Sequence, residues 1–486
     1  MKLEKLLDNI KSHLLRNNIN SPLALVGSST KSKTYNDIDL LMIVDDIETT
    51  RKNILTAFKN YDISISDDAV RIDDFSDITI SIALYDRKNV DRIINNYMCG
   101  KDSELTHRIW CLGYWIPESF IANLQNMKII NDVDNYFNVI KTKVDKNSIY
   151  ARKKIVEECL NEIKIKYEAM RKLSNKTLEY SLYKNDIILC IIRAMKIING
   201  ELLISFKRID SLIEQLNCVE LNKFIKNDSE GISELIELFN DYTDWSNRLY
   251  YGTWQLSGDF KSLTDEEIFN LIKCAKENHI KLFDTALVYG KGNVEKVLGQ
   301  HLTSDDKVLT KVPAKTKPSL NCCDDLSNYY DYDYIVECIK KSCASLNRQK
   351  LDVCLLHNWT QNWNKNEKII NYLKQIKKDC LADKVGISLP NGFDNELSDE
   401  VLSAIDVIEA PYNSENQWIL DSIEKYKSYG VEIILRSLFL QGKEPNRENY
   451  EKILERAKKL GTSIVVGMTT TEQIEQNVKI LKRDQL

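Results

Sequence analysis

From Tyr251 onward the chain alternates short apolar runs with helical segments in a regular order, and this alternation most constrains the fold. Periodicity and β-branched content predict that the apolar runs are strands. Eight strands separated by helices predict an α/β fold closed as a (β/α)8 TIM barrel. The predicted strands are residues 252–256, 281–286, 307–312, 351–357, 383–389, 404–412, 431–438 and 462–468.

The chain has 486 residues, enough for about three domains. We expect a small α+β domain at 1–98, a helical bundle domain at 99–248 and the barrel domain at 249–486. The first contains three strand-like runs, and the second reads as almost continuous helix. With 16 Gly and 7 Pro in the whole chain, collagen-like and Pro-rich disordered classes are excluded.

A net charge of −5 gives no general attraction to nucleic acid or to anionic membranes. There is no run of 18 apolar residues, so no membrane span is expected. The first 18 residues form an amphipathic charged pattern without the apolar core of a signal peptide. The 12 scattered cysteines then read as reduced thiols, and we expect a cytoplasmic protein.

A Gly-Ser-Ser turn and an Asp-x-Asp pair mark the first domain. Gly27, Ser28 and Ser29 follow a predicted strand, and Asp37 and Asp39 open the next one. Alternation along a strand places these two carboxylates on one face, about 7 Å apart, which suits Mg²⁺ with phosphate oxygens. The turn offers backbone N–H groups and hydroxyls to a triphosphate.

This pattern resembles the polymerase-beta-like nucleotidyltransferase superfamily over about the first 95 residues. The resemblance implies transfer of a nucleoside monophosphate from a nucleoside triphosphate to a small-molecule hydroxyl, with Asp37 and Asp39 as Mg²⁺ ligands and Gly27, Ser28 and Ser29 at the phosphates. Asp77 is our choice for a third carboxylate, with Asp73 and Asp74 as alternatives. A solvated Asp-x-Asp at a strand start is the competing interpretation.

The barrel region carries a longer motif, with Asp284 and Tyr289 in Asp-Thr-Ala-Leu-Val-Tyr-Gly, followed by Glu295. Lys311 ends the next predicted strand, and His357 ends the one after it. These positions lie at carboxyl ends of barrel strands or just beyond, where barrel active sites are built. The set resembles the signature of the aldo-keto reductase family.

Carbonyl reduction explains these residue types. A free tyrosine has a pKa near 10, too high for an efficient acid at neutral pH, and a neighbouring Lys⁺ favours the phenolate. We therefore predict Tyr289 as the acid, Lys311 as the group that lowers its pKa, Asp284 as the support of Lys311, and neutral His357 as the group that orients the carbonyl.

Further motifs extend the resemblance over residues 250–486. They are Gly-Ile-Ser at 386–388, Pro-Tyr-Asn at 411–413 and Gly-Met-Thr-Thr at 467–470. The family implies NADP, or NAD, as the cofactor. The residues implied to bind it are Ser388, Tyr412, Asn413, Arg436, Ser437, Gly467, Met468, Thr469, Gln473 and Asn477.

The sequence also departs from the family pattern. Leu389 stands where an asparagine usually follows the serine, Glu409 where a glutamine is common, and Arg436 where an aromatic residue usually stacks on nicotinamide. The loop after Gln441-Gly442 is short, and no basic residue between Thr469 and Gln473 reads a 2′-phosphate. The choice between NAD and NADP stays open.

These motifs predict a bifunctional enzyme. The barrel is expected to reduce the carbonyl of a small polar, sugar-like metabolite with NAD(P)H, and the first domain to transfer a nucleotide to a small-molecule hydroxyl. Two alternatives are kept: a barrel that senses nicotinamide or serves as a scaffold without catalysis, and a first domain that is regulatory alone.

Overall fold

The chain divides into two compact units, Met1–Ile236 and Glu237–Leu486. The structure, a computed structural model, describes residues 3–27, 30, 37–66, 69–101, 118–203, 206, 209–243, 248–393, 396–440 and 447–482. Ser28 and Ser29 of the predicted phosphate turn, and Gln441 and Gly442 of the short loop, lie outside these residues.

The first unit contains a six-stranded mixed sheet with the order β3-β4-β5-β2-β1-β6. Strands β2 and β5 at its centre are parallel, and the other neighbours are antiparallel. The strands are β1 Leu23–Val26, β2 Asp37–Val44, β3 Asp62–Ile65, β4 Ala69–Asp73, β5 Thr79–Asp86 and β6 Lys128–Asn131.

The three strands predicted in this part of the chain are β1, β2 and β5. The strands β3, β4 and β6, at or next to the sheet edges, were not expected, because each has only four or five residues. Strand β6 lies within the stretch that we expected to be helical, yet it pairs with β1. The sheet therefore extends past residue 98, where we placed the first domain boundary.

Some helices of the first unit begin at a side chain that caps them. Ser148 and Thr177 accept hydrogen bonds from backbone N–H groups at the starts of α6 and α7, the two long helices that the periodicity predicted. The helices that begin in this unit are α1 Leu3–Arg16, α2 Ile47–Ala57, α3 Arg87–Met98, α4 Ser119–Asn126, α5 Tyr136–Val144, α6 Ile149–Met170, α7 Leu178–Ile198, α8 Ile209–Leu216, α9 Val219–Lys226 and α10 Ile232–Thr243.

The second unit is a closed barrel of eight parallel strands, so the predicted (β/α)8 fold is confirmed. Its first strand begins three residues before the one predicted at 252–256, because Trp254–Ser257 forms a 3-10 turn instead. The strands are β7 Leu249–Gly252, β8 Leu282–Asp284, β9 Lys307–Val312, β10 Leu351–Leu356, β11 Ala382–Ser388, β12 Val407–Pro411, β13 Glu432–Arg436 and β14 Ser463–Gly467.

Helices follow the barrel strands and cover their outer face. The first of them, α11, begins with a capping box between Thr264 and Glu267. The helices are α11 Asp265–Glu277, α12 Asn293–His301, α13 Tyr332–Ser345, α14 Glu367–Lys378, α15 Asp399–Ala404, α16 Ile419–Ser428, α17 Arg447–Lys459 and α18 Thr471–Lys482. Across the described residues, no helix combines the length and the apolar character needed to cross a membrane.

Two apolar layers hold the barrel together. A large cluster packs the outward strand side chains against the helices. A smaller cluster fills the interior and includes Leu309, Val353, Val407 and Ile434. Because successive strand side chains alternate between the two faces, this interior cluster fixes which later residues of the same strands also point inward.

Candidate active site

The inward-facing register places three charged residues at the carboxyl end of the barrel. Lys311 lies two positions after Leu309 on β9, Glu409 two after Val407 on β12, and Arg436 two after Ile434 on β13. Each therefore continues the interior face of its strand.

Lys311 is the centre of this charged group, and 1% of its surface is exposed. Its Nζ donates a hydrogen bond to Oδ1 of Asp284 and another to the carbonyl oxygen of Thr285 at 3.1 Å. A second carboxylate oxygen, Oε1 of Glu409, lies 3.3 Å from the same Nζ. The ammonium group thus sits between two buried carboxylates.

Glu409 lies on β12 and connects Lys311 to the two neighbouring strands, β11 and β13. Ser388 on β11 donates a hydrogen bond from Oγ to Oε2 of Glu409 at 2.6 Å. Arg436 on β13 places Nε 3.8 Å from the same oxygen, and it donates from Nη2 to the carbonyl oxygen of Leu389 at 2.7 Å. These contacts link Asp284, Lys311, Glu409 and Arg436 in a series in which negative and positive charges alternate.

Tyr289 and His357 lie above this group, as the order of the motifs predicted. Nζ of Lys311 is 5.5 Å from the centre of the Tyr289 ring. The rings of Tyr289 and His357 are 6.2 Å apart and nearly perpendicular. On another side the Trp254 ring stacks on Tyr289 with centroids 6.1 Å apart. All four predicted catalytic residues are therefore brought together.

Burial and neighbouring charge set the protonation of these groups. Burial lowers the pKa of His357 to about 4, and the positive charge of Lys311 acts in the same direction, so the imidazole is neutral at pH 7. Although burial disfavours its ammonium, the carboxylates of Asp284 and Glu409 raise the pKa of Lys311 above its usual value. Lys311 therefore stays charged.

Tyr289 and Asp284 are harder to ionise than free side chains. Burial raises the pKa of Tyr289 to about 12, even though Lys311 acts in the lowering direction that we expected. Burial likewise raises the pKa of Asp284 to about 7, with Lys311 opposing and Glu409 adding to the rise. The pKa of Glu409 is held below its usual value because, against burial, both Lys311 and Arg436 favour its charge.

The residues expected to bind the cofactor lie on β11, β13 and β14, in the loops after β12, β13 and β14, and on α18. Asn413 donates from Nδ2 to the carbonyl oxygen of Ser437 at 3.0 Å, which joins the loops after β12 and β13. The backbone N–H of Tyr412 donates to the carbonyl oxygen of Arg436 at 3.0 Å. These hydrogen bonds hold the two loops together. The contacts that we predicted between these residues and a cofactor stay predictions.

The last predicted loop, after β14, is also held by internal bonds. Oε1 of Gln473 accepts from the backbone N–H of Thr469 at 2.7 Å, and the carbonyl oxygen of Met468 accepts from the Tyr251 hydroxyl at 2.7 Å. Asn477 is fully buried, and its Oδ1 accepts from the Tyr450 hydroxyl at 2.8 Å.

Gly467 lies against the flexible end of the Gln255 side chain. A Cβ there would lie 2.0 Å from Nε2 of Gln255, whose side chain crosses directly over the glycine. The motif predicted a glycine that lets a dinucleotide approach the backbone. In this structure the Gln255 side chain occupies that approach, and a bound dinucleotide would have to displace its flexible end.

In the first unit, the two predicted metal carboxylates lie on one strand face as expected. Asp37 is exposed, Asp39 is half-buried, and the buried Ile38 between them points to the other face. Gly27 has a φ of 74°, and a Cβ on it would lie 2.7 Å from Oδ2 of Asp39. A glycine is therefore needed where the turn meets this carboxylate.

The third carboxylate is not brought to this pair. Strand β5 begins at Thr79, so Asp77 precedes it, and Asp77 is exposed. The β5 residue beside Asp39 is Ser81. The alternative Asp73 accepts a hydrogen bond from Thr79 and pairs with Arg71. No group of three or more His, Cys, Asp or Glu side chains in the described segments is arranged to hold a metal ion, so the described residues do not fit the expected Mg²⁺ site.

Sequence reasoning missed three features of the barrel site. Trp254 was placed in a strand, although it stacks on Tyr289. Glu409 was treated as a departure from a family pattern, and Arg436 both as a departure and as a cofactor-binding residue, although both join the charged group. The signal that could have found Glu409 and Arg436 is the alternation itself, since each lies two residues after an interior apolar residue.

Glu295 of the motif is fully buried on α12, and it accepts a hydrogen bond from the Thr310 hydroxyl on β9 at 2.5 Å. It therefore joins this helix to the barrel.

Residues 248–460 match the model of the aldo/keto reductase family. The chain is 25% identical over 185 residues to the aldo-keto reductase YhdN of Bacillus subtilis (strain 168), a match that covers 37% of this chain and 54% of that protein. The chain thus spans about half the length of this curated relative. The resemblance of the carboxy-terminal half to the family is confirmed.

Solved structures of similar proteins include an aldo-keto reductase from Bacillus halodurans in its holo form. It is 19% identical, covers 48% of this chain and 86% of its own, and has a TM-score of 0.38. An aldo/keto reductase from Klebsiella pneumoniae in complex with NADP and acetate is 15% identical, covers 48% and 85%, and has a TM-score of 0.36.

Proposed function

We propose, from the match of residues 248–460 to the model of the aldo/keto reductase family, that the barrel reduces the carbonyl group of a small molecule with NADPH or NADH. The observation that carries the proposal is the buried contact of Lys311 with Asp284 beneath the Tyr289 ring. A small polar, sugar-like metabolite is the proposed substrate class.

In this proposal each residue has one task. Tyr289 donates the proton that the carbonyl oxygen takes up. Lys311 stays an ammonium and stabilises the phenolate that remains, and Asp284 holds the Lys311 side chain in place. His357, neutral at pH 7, donates a hydrogen bond that orients the carbonyl oxygen.

The residues present fit a nicotinamide cofactor in part. Oε1 of Glu409 and Nδ2 of Asn477 are buried atoms that make no hydrogen bond within the described structure. Oε1 of Glu409 is an acceptor for an amide N–H, and Arg436 and Ser388 supply donors nearby. When bound, the cofactor supplies the hydride, while these side chains hold and orient it.

The test is the oxidation of NADPH and of NADH with a panel of carbonyl compounds, comparing the wild type with Tyr289→Phe. Loss of the acid should lower kcat/KM by about 10²- to 10⁴-fold. Tyr332→Phe is the matched control, because this tyrosine lies on α13 and bonds to Asp379 instead. Equal activity of Tyr289→Phe and the wild type would remove Tyr289 from its assigned role.

Cofactor binding without turnover on any carbonyl would favour the alternative of a sensing or scaffold barrel. Leu389 motivates that alternative, because it is fully buried and apolar where the family uses an amide. Calorimetric titration of the protein with NADPH separates the two outcomes.

A second proposed function is nucleotide transfer by the first unit. It is favoured by the pair Asp37 and Asp39 on one face of β2 and by the close contact of Gly27 with Asp39. We derive no metal-dependent step for it. The test is transfer of labelled nucleotide from a nucleoside triphosphate to small hydroxylated acceptors. Transfer that persists in Asp37→Asn and Asp39→Asn would remove these carboxylates from the proposed role, and no transfer by the wild type would favour a regulatory unit.

A further inference from the structure

Lys311 has one counter-ion more than the proposed reaction requires. In its ionised form Asp284 neutralises this charge, and Glu409 adds a second carboxylate at 3.3 Å. The side chains of Lys311 and Glu409 are each 1% exposed, so water does not screen the interaction. Burying an extra carboxylate is costly, and this one is not fully hydrogen-bonded, because its Oε1 makes no hydrogen bond among the described residues.

We propose that Glu409 is a positioning residue that acts through charge: by offsetting the ammonium of Lys311, it disfavours the phenolate of Tyr289 and so extends the alkaline pH range in which Tyr289 can donate a proton. This inference rests on the proposed function of the barrel and deepens it. Lys311 by itself would favour the phenolate, which is the form needed to accept a proton from an alcohol. With Glu409 in place, Tyr289 keeps the form that donates a proton to a carbonyl up to a higher pH.

The charged surroundings of Tyr289 support this assignment on every side of the site. Burial has the largest effect on its pKa, and the carboxylates of Asp284 and Glu409 raise it further, while Lys311 and Arg436 lower it. His357, which follows β10 and faces Tyr289, is neutral at pH 7. These neighbours are Asp284 on β8, Lys311 on β9, His357 after β10, Glu409 on β12 and Arg436 on β13.

Arg436 makes the effect of Glu409 separable from packing. It lies 3.8 Å from Glu409, and 23% of its side chain is exposed, so it offsets the carboxylate from the rim of the site. Removing Glu409 should therefore favour the phenolate, and removing Arg436 should disfavour it. A side chain that served packing alone would not give opposite signs at the two positions.

The experiment measures the tyrosinate absorbance of the protein without cofactor, taken as the difference between each variant and the same variant with Tyr289→Phe. In Glu409→Gln the pKa of Tyr289 should fall by about one unit, so its ionised fraction at a fixed alkaline pH should rise about tenfold. In Arg436→Gln the ionised fraction should fall. Circular dichroism at the same pH confirms that each variant is folded.

The control is Glu432→Gln, another buried barrel carboxylate, which pairs with Lys384 at 2.9 Å and accepts from Ser463 at 3.1 Å. It should leave the Tyr289 titration unchanged. A Glu409→Gln titration that coincides with the wild type, or one that moves to higher pH, would overturn the proposal.

The pH dependence of kcat/KM for carbonyl reduction gives a second readout. Its alkaline limb should move to lower pH in Glu409→Gln and stay in place in Glu432→Gln. If the wild type reduces no carbonyl, the proposed function fails while the absorbance titration still decides the charge effect of Glu409.

Discussion

Both units carry acidic residues near strand ends, yet these residues converge on one cation in the barrel and do not assemble a site in the open sheet. In the barrel, Asp284 and Glu409 come from β8 and β12, separated in sequence by 125 positions, and both contact Lys311. In the open sheet, Asp37 and Asp39 share β2, and the β5 residue beside Asp39 is a serine.

Closure of the sheet explains the difference. Around a closed barrel, inward side chains from distant strands point toward one axis, so their ends converge. On an open sheet, side chains of one face stand side by side, and each meets residues of its immediate neighbours alone. A motif on one strand is therefore enough to suggest a barrel site, but an open sheet needs the partner strand to supply the missing group.

Burial separates the two regions as well. Lys311 and Glu409 are almost fully buried, whereas Asp37 is exposed. Charges without solvent screening interact strongly and are costly to leave unpaired, while exposed carboxylates are hydrated and tolerate substitution. The predictions that follow test this contrast, starting with the largest expected effect.

Lys311→Met should break the barrel site most severely. It removes the cation between two buried carboxylates and should lower the free energy of unfolding by about 3–5 kcal/mol. Lys307→Met on the same strand is the control. Its side chain is 56% exposed and pairs with Asp352, so its loss should cost at most about 1 kcal/mol. Denaturant unfolding of both variants measures these free energies of unfolding. Equal decreases in the two variants would contradict the argument from burial.

His357 should make the stability of the barrel depend on pH. Its folded pKa of about 4 lies below the unfolded value of 6.5, so folding favours the neutral ring. Relative to His357→Asn, the wild type should lose stability as the pH falls from 6.5 toward 4, by about 2 kcal/mol once partial exposure is allowed for. Parallel stability curves for the two proteins across this range would show that His357 titrates normally.

Asp37→Asn should have the smallest effect on stability. The side chain is exposed at the start of β2, so the free energy of unfolding should stay within about 0.5 kcal/mol of the wild type. Thermal unfolding with and without a nucleoside triphosphate measures this. A large change without nucleotide would mean that Asp37 has a structural partner and that the contrast between the units is weaker than proposed.

Much of the barrel site could be predicted from the sequence because its residues lie in fixed positions relative to the strands. Asp284, Lys311 and His357 lie at or just after the ends of apolar runs, and Tyr289 follows in a loop of fixed length. Once eight strands are recognised, strand ends of a parallel barrel meet at one edge, so these four residues had to lie near one another.

The failures have equally specific causes. Strands β3, β4 and β6 lie at or next to the sheet edges and are too short to show a clear period. Trp254 follows the first barrel strand, whose boundary was predicted three residues late, and the ring could not be placed on Tyr289 without that turn. Asp77 was assigned to β5, although the strand begins two residues later, and this shift moves the carboxylate off the sheet.

By itself, the sequence determined the barrel and the order of its strands, because these follow from local periodicity. The roles of the acid, the lysine, the aspartate and the histidine come from the resemblance to a known family and stay predictions. The tertiary structure alone decided that Glu409 and Arg436 join that group and that Asp77 does not join Asp37 and Asp39. Both outcomes depend on which strands become neighbours and how the sheet closes. Those are long-range properties, and the charge balance around Lys311 depends on them.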